Sequence, residues 1–158
     1  DPVRLAEALA VSAGAGLARY ECLQPDYSLA QRGYEAELEP LCRAEQIGVI
    51  GYFSLAAGFL TGKYRTKVDL EGAQRGGMAE GYFSEDGLRV VEAVERIAAD
   101  RGVEMPTVAL AWLLARGITA PIASASRVEQ LPALVAAADL ELTDAEVTAL
   151  NEASQPFA

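Results

Sequence analysis

The sequence holds no histidine among its 158 residues. That absence excludes Ser-His-Asp and Cys-His catalysis by this chain alone, and every His-ligated zinc site. Cysteine is almost as scarce. Cys22 and Cys42 allow at most one disulfide, so the framework of a disulfide-stapled secreted domain is excluded. Positive charge is short too, with 13 Lys+Arg against 23 Asp+Glu, a net charge of −10 and a pI near 4.5. Without a basic excess there is little to draw in a phosphate backbone, which argues against a nucleic-acid partner. Long hydrophobic runs are missing as well. The best, residues 108–114, falls far short of the ~20 residues a membrane span needs, so no membrane span is expected. The chain opens Asp1-Pro2 with no basic, apolar signal segment, which reads as a soluble cytoplasmic protein. It does not begin with Met, which reads as a processed chain or a fragment.

What remains is a globular composition, 51% hydrophobic, in a length that fits one domain. Residues 2–15 carry Leu5, Ala8, Leu9 and Ser12 on one helical face, with Gly14 and Gly16 to end it. Residues 33–45 repeat that pattern with Leu38, Leu41 and Cys42, although Pro40 stands inside. Ile47-Gly48-Val49-Ile50-Gly51-Tyr52 is a continuous apolar run of the kind found in strands buried on both faces. Shorter strand candidates lie at residues 19–23 and 118–123. Ser84 caps a helix predicted over 85–101, and Pro106 opens another through Trp112 to Gly117. An Ala-rich helix is expected over 127–138. The last helix starts at Thr143, with Glu146 completing a capping box. Residues 53–84 are rich in glycine and read as one long loop, of the kind that is usually functional or disordered.

Short apolar strands alternating with helices imply parallel βαβ units and an α/β fold. The residues with chemical potential follow the strand ends. Tyr52 ends the second strand, with small residues and Lys63 beyond it. After the third come Ser124, Ser126 and Arg127, leading into a helix. Hydroxyls and an Arg at a helix start, where free N–H groups and the dipole point outward, make an anion site.

Four segments, in order, carry a resemblance to a known family. They are Leu23-Gln24-Pro25-Asp26-Tyr27-Ser28-Leu29; Gly48-Val49-Ile50-Gly51-Tyr52 with Gly58-Phe59-Leu60-Thr61-Gly62-Lys63-Tyr64; Val108-Ala109-Leu110-Ala111-Trp112-Leu113-Leu114; and Pro121-Ile122-Ala123-Ser124-Ala125-Ser126 with Gln130-Leu131. The chain resembles the C-terminal part of the aldo-keto reductases, NADP(H)-dependent oxidoreductases built on a TIM barrel. The resemblance covers essentially all of residues 1–158, read as a single partial domain. It implies that the three strands are barrel strands six, seven and eight.

The resemblance also implies site roles. Gln24 matches the glutamine that bonds the nicotinamide carboxamide, and Tyr52 the aromatic that stacks on the nicotinamide ring. Phe53, Ser54 and Leu55 match the turn whose backbone passes the cofactor phosphates. Lys63 and Arg75 match basic residues near the pyrophosphate. Ser126, Arg127 and Gln130 fall where the family grips the 2′-phosphate of NADP. There are departures. Ala133 and Leu134 stand where many relatives place Glu and Asn against adenine, and Tyr52-Phe53-Ser54-Leu55 stands where many have Tyr-Ser-Pro-Leu.

The family's catalytic Asp, Tyr, Lys and His come from the first half of the barrel, so no residue of this chain is expected to be catalytic. The implied function is part of a reductase of aldehydes or ketones that contributes mainly the cofactor site. The alternative is a catalytically inactive, truncated module that self-associates or binds a partner chain. Three barrel strands leave an inner face and two edges without partners. The chain is therefore expected to need the missing half, or a second copy, for stability.

Overall fold

The computed structural model describes residues 1–73 and 75–158. Asp1 caps the first helix, α1 (Pro2–Ala15), by accepting the amides of Val3 and Arg4, and Gly16 ends it in the left-handed conformation with φ 65°. Strand β1 (Cys22–Leu23) follows, then α2 (Tyr34–Ala44). Pro40 lies inside α2 without ending it. Strand β2 (Gly48–Gly51) is central. The short helix α3 (Gly76–Ala79) precedes α4 (Glu85–Arg101), α5 (Met105–Ala115) and strand β3 (Ala120–Pro121). The chain closes with α6 (Leu131–Val135) and α7 (Asp144–Ala153).

The sheet is parallel, in the order β1-β2-β3. Cys22 pairs with Gly48, Leu23 with Val49, Ile50 with Ala120 and Gly51 with Pro121. Parallel strands joined through helices are the arrangement of part of a (β/α) barrel, as the alternation in the sequence implies. The strands are shorter than expected. Residues 19–21 and 118–119 lie outside the ladder, although the Gly48 amide still bonds the Glu21 carbonyl and the Thr119 amide the Val49 carbonyl.

Helices cover one face of this sheet. Val49 and Gly51 point to it and are buried, as is Ile118 beside them. Against this face packs α5, whose residues 107–113 are all buried around the fully enclosed Trp112. Helix α4 brings Val90, Val94 and Ile97, the stripe visible in the sequence. By alternation and register the other face carries Cys22, Gln24, Ile50, Tyr52 and Ile122. Cys22, Gln24, Tyr52 and Ile122 are exposed there, so the open inner face expected from three strands is present. Both cysteines are unpaired thiols.

Two expectations are corrected. Residues 53–84 are not one open loop. They fold as successive short turns, Ala56–Thr61, Lys67–Leu70, α3 and Glu80–Tyr82, with Phe59, Leu60, Tyr64 and Ala79 buried. Their glycines permit close approach: a Cβ on Gly76 would strike the Leu70 carbonyl, and one on Gly87 at the start of α4 would strike that of Tyr82. Nor is 127–138 one helix. It breaks into a 3₁₀ turn (Val128–Gln130), the five-residue α6 and a second 3₁₀ turn (Ala136–Ala138). Pro132 has no amide to continue a ladder from the first turn, which keeps the pieces short. Among the described residues no helix is long and apolar enough to cross a membrane.

Candidate functional site

The C-terminal edge of the sheet collects most of the residues singled out in the sequence. Gln24 directly follows β1 and is exposed on the open face. Beyond it the β1–β2 ladder continues to an Asp26–Tyr52 bridge. The Tyr52 amide donates to the Pro25 carbonyl at 2.9 Å, and the Tyr27 amide donates to the Tyr52 carbonyl at 3.2 Å. Tyr52 is thus fixed through its backbone while its side chain stays 37% exposed. Its ring meets only a tilted Phe53, centroids 5.1 Å apart, among the aromatic pairs of the described residues.

The chain then turns sharply. Phe53, Ala56 and Ala57 hold positive φ of 51°, 47° and 56°, a conformation most side chains avoid. Strain of this kind persists where the surroundings over-determine it. The amides of Ser54 and Leu55 find no acceptor among the described residues, although Ser54 itself is only 1% exposed. The Ser54 side chain donates its hydroxyl to the Gly51 carbonyl at 3.0 Å, holding the strand end.

The basic residues are placed differently from one another. Lys63 folds back, its Nζ 4.6 Å from the centroid of the Tyr64 ring, over Gly58, which has no side chain to obstruct it. Arg75, far along the folded turns, donates to the Ser124 Oγ at 3.0 Å. The structure therefore brings together Arg75 and Ser124, 49 residues apart in the sequence. Past Ser124, the start of the next turn has fewer free N–H groups than its sequence implies. Gln130 Oε1 accepts the amides of Ser126 at 2.9 Å and Arg127 at 3.2 Å, and the Ser126 hydroxyl at 3.3 Å. Those N–H groups are consumed by Gln130, and the helix there is a three-residue 3₁₀ turn with little dipole. The exposed Arg127 side chain remains as the cation. Ala133 and Leu134 turn toward the protein interior, Ala133 giving its carbonyl to Thr107 Oγ1 at 2.7 Å and Leu134 packing on the core.

Asp26 escaped the sequence reading. Its Oδ1 is buried with no hydrogen-bond partner among the described residues, and burial pushes its carboxyl up from the ordinary value. Alternation from Gln24 could have found it, because residues two apart on a strand share a face. Tyr82 was missed as well. Burial first, then the charges of Asp26 and Tyr52, push its phenol upward. No cluster among the described residues could hold a metal ion.

A parallel sheet backed by helices, with an exposed aromatic and a carboxamide at its C-terminal edge, is an α/β arrangement consistent with part of a (β/α) barrel. The family model described as "Aldo/keto reductase family" matches residues 5–155, and the chain belongs to that family. It is 32% identical over 134 residues to the aldo-keto reductase AMT2 of Alternaria alternata, covering 85% of this chain and 36% of that protein. It is 32% identical over 139 residues to the NADH-specific methylglyoxal reductase of Escherichia coli, covering 85% of this chain and 42% of that protein. With the aldo-keto reductase yakc [NADP(+)] of Schizosaccharomyces pombe it shares 32% over 131 residues, covering 80% and 38%. The chain thus spans only about two fifths of the length of these curated relatives.

Proposed function

We propose that this chain is the cofactor-holding portion of an NADP(H)-dependent reductase of small aldehydes or ketones. The observation that carries it is the convergence, at one sheet edge, of Gln24, Tyr52 and the left-handed turn that follows it. On this reading Gln24 holds the carboxamide and Tyr52 backs the nicotinamide ring. The backbone of the turn at Phe53, Ser54 and Leu55 passes the phosphates, which suit N–H donors. Arg75 and Ser124 form a polar bridge at the pyrophosphate end, with Lys63 near it, and Arg127 faces the 2′-phosphate with Ser126 and Gln130 behind it. When bound, the cofactor supplies the hydride. This chain's residues bind and orient it, and none of them moves the proton. The relatives' names divide between NADH and NADP(+), and the exposed Arg127 is what favours NADP(H) here.

NADPH fluorescence titration of the full protein carrying this chain tests the reading. Tyr52→Ala and Arg127→Ala should each weaken binding, and unchanged affinity in both overturns the assignment.

A second reading rests on the open face. Leu17 and Tyr20 are 61% and 58% exposed near β1, and Ile122 is exposed beyond β3. Residues 1–158 would then be a truncated module closed by a second copy or by a partner chain that supplies the missing strands. Size measurement of this chain separates the two. A folded homo-oligomer without reductase activity supports the module, and an unfolded or aggregated chain supports a portion of a larger barrel.

A further inference from the structure

The register that pairs Cys22 with Gly48 and Leu23 with Val49 runs unbroken to Asp26 and Tyr52. Asp26 therefore shares a sheet face with Gln24 and Tyr52, on strands about 4.7–4.9 Å apart. One carboxylate oxygen, Oδ1, is buried and finds no donor among the described residues. A carboxylate oxygen taken from water without a donor is costly, and an orphan of this kind in a native fold calls for an explanation. Four cations of the chain are occupied elsewhere. Arg32 and Arg116 serve Glu35, Lys63 lies over Tyr64, and Arg75 bonds Ser124. Asp26 thus stands in register with the residue proposed to stack on the ring, and no cation among the described residues bonds its orphan oxygen.

We propose that Asp26 is the electrostatic determinant of the nicotinamide end of the site, its carboxylate favouring the oxidised, cationic ring over the neutral reduced one. This rests on the cofactor reading of Tyr52 given above. The two cofactor forms differ there by one positive charge, so a fixed negative charge nearby lowers the free energy of the oxidised form alone. It raises the affinity for NADP⁺ relative to NADPH, which makes the bound reduced cofactor the stronger hydride donor. A second consequence is that the same charge repels carbonyl substrates bearing a carboxylate.

The experiment compares Asp26→Asn, Asp26→Glu and Tyr52→Ala in the full protein carrying this chain, at pH 8. NADPH affinity is read by fluorescence titration and NADP⁺ affinity by displacement. Asp26→Asn should lower the NADP⁺ to NADPH affinity ratio by at least about tenfold, the factor expected for unit charges about 12 Å apart at an effective dielectric of about 20. Asp26→Glu, which keeps the charge, should preserve most of the ratio. Asparagine is near-isosteric and removes an uncompensated charge, so the variant should fold. Asp26→Ser, read the same way, replaces it if the amide is not accommodated. An unchanged ratio in the neutral variants, with both affinities weakened by Tyr52→Ala, overturns the inference and leaves the site standing. Unchanged affinity for both forms in Tyr52→Ala overturns the site reading and this inference with it.

Discussion

Arg32 holds Glu35 through two parallel hydrogen bonds, Nε to Oε1 at 2.8 Å and Nη2 to Oε2 at 2.7 Å, with both side chains largely out of solvent. The remaining guanidinium nitrogen donates to the Asn151 carbonyl at 3.0 Å and the Ser154 hydroxyl at 2.9 Å, tying this pair to the end of α7. The Tyr27 hydroxyl donates to Glu35 Oε1 at 2.7 Å, while the Tyr27 amide is the one that holds the Tyr52 carbonyl. A buried polar network therefore runs from the C-terminal helix to the residue proposed to stack on the nicotinamide.

Glu35→Ala in the full protein should cost about 3–5 kcal/mol, because it strands two arginines in a partly buried site. Urea denaturation measures it. The pair also sets an acid dependence. Burial alone pushes the Glu35 carboxyl up, but the hydrogen bonds from Arg32 and Tyr27 outweigh it and the net shift is downward. A carboxyl lowered in the folded state stabilises fully above its unfolded pKa, about 4.3, and loses that contribution as pH falls through the folded value. Glu35→Gln should accordingly shallow the acid limb of a stability–pH curve.

A milder acid effect belongs at the surface. The Arg101 guanidinium, with help from Thr143, holds the Glu146 carboxyl at about 2. Its stabilisation is present above about pH 4.3 and fades toward pH 2. The site is open to solvent, so Glu146→Gln should cost no more than about 1 kcal/mol at pH 7. Thr143→Ala, which removes both the cap on the Glu146 amide and one donor to its carboxylate, should cost about 1 kcal/mol, and the cap's share of that loss persists at low pH. Thermal melts at pH 3 and 7 separate the two variants.

Gly87→Ala should destabilise by about 1–3 kcal/mol, since the added methyl meets the Tyr82 carbonyl and the Phe59 ring. The same change at Gly81, which has open space around it, should be nearly neutral. A difference in melting temperature between the two checks this.

At the proposed cofactor edge, Arg127→Ala should weaken NADPH by about tenfold and leave NADH nearly unaffected, because only the former carries a 2′-phosphate. Arg75→Ala should weaken both to a similar degree. Isothermal titration with each cofactor distinguishes the two roles, and equal losses of NADPH and NADH in Arg127→Ala would remove it from the 2′-phosphate.

The helices were legible where local signals agreed. Ser84 and Gly102 bound α4, and Thr143 with Glu146 start α7, because caps act within four residues and need no tertiary information. Tyr52 was legible for a similar reason, as the residue ending an apolar run. Contacts across long sequence separations were not. Arg32 reads as an ordinary surface charge until α7 folds back to meet it. Gln130 reads as a ligand grip, although its oxygen is already used by its own turn. Residues 53–84 looked loop-like because 3₁₀ turns and left-handed alanines leave no periodic pattern. Asp26 passed unnoticed because an acidic residue at a strand end is unremarkable until its oxygen is seen to lack a partner.

The shared register of β1 and β2 has one more consequence. Gln24, Asp26 and Tyr52 face the open side only while Leu23 and Val49 face the helices. Sliding either strand by a single residue would exchange the two sets, driving a carboxylate into the hydrocarbon layer and lifting valine into water. Insertions are therefore not tolerable within residues 22–26 or 48–52. Over those two short stretches, the spacing that lets the chain fold is the same spacing that lets it recognise anything.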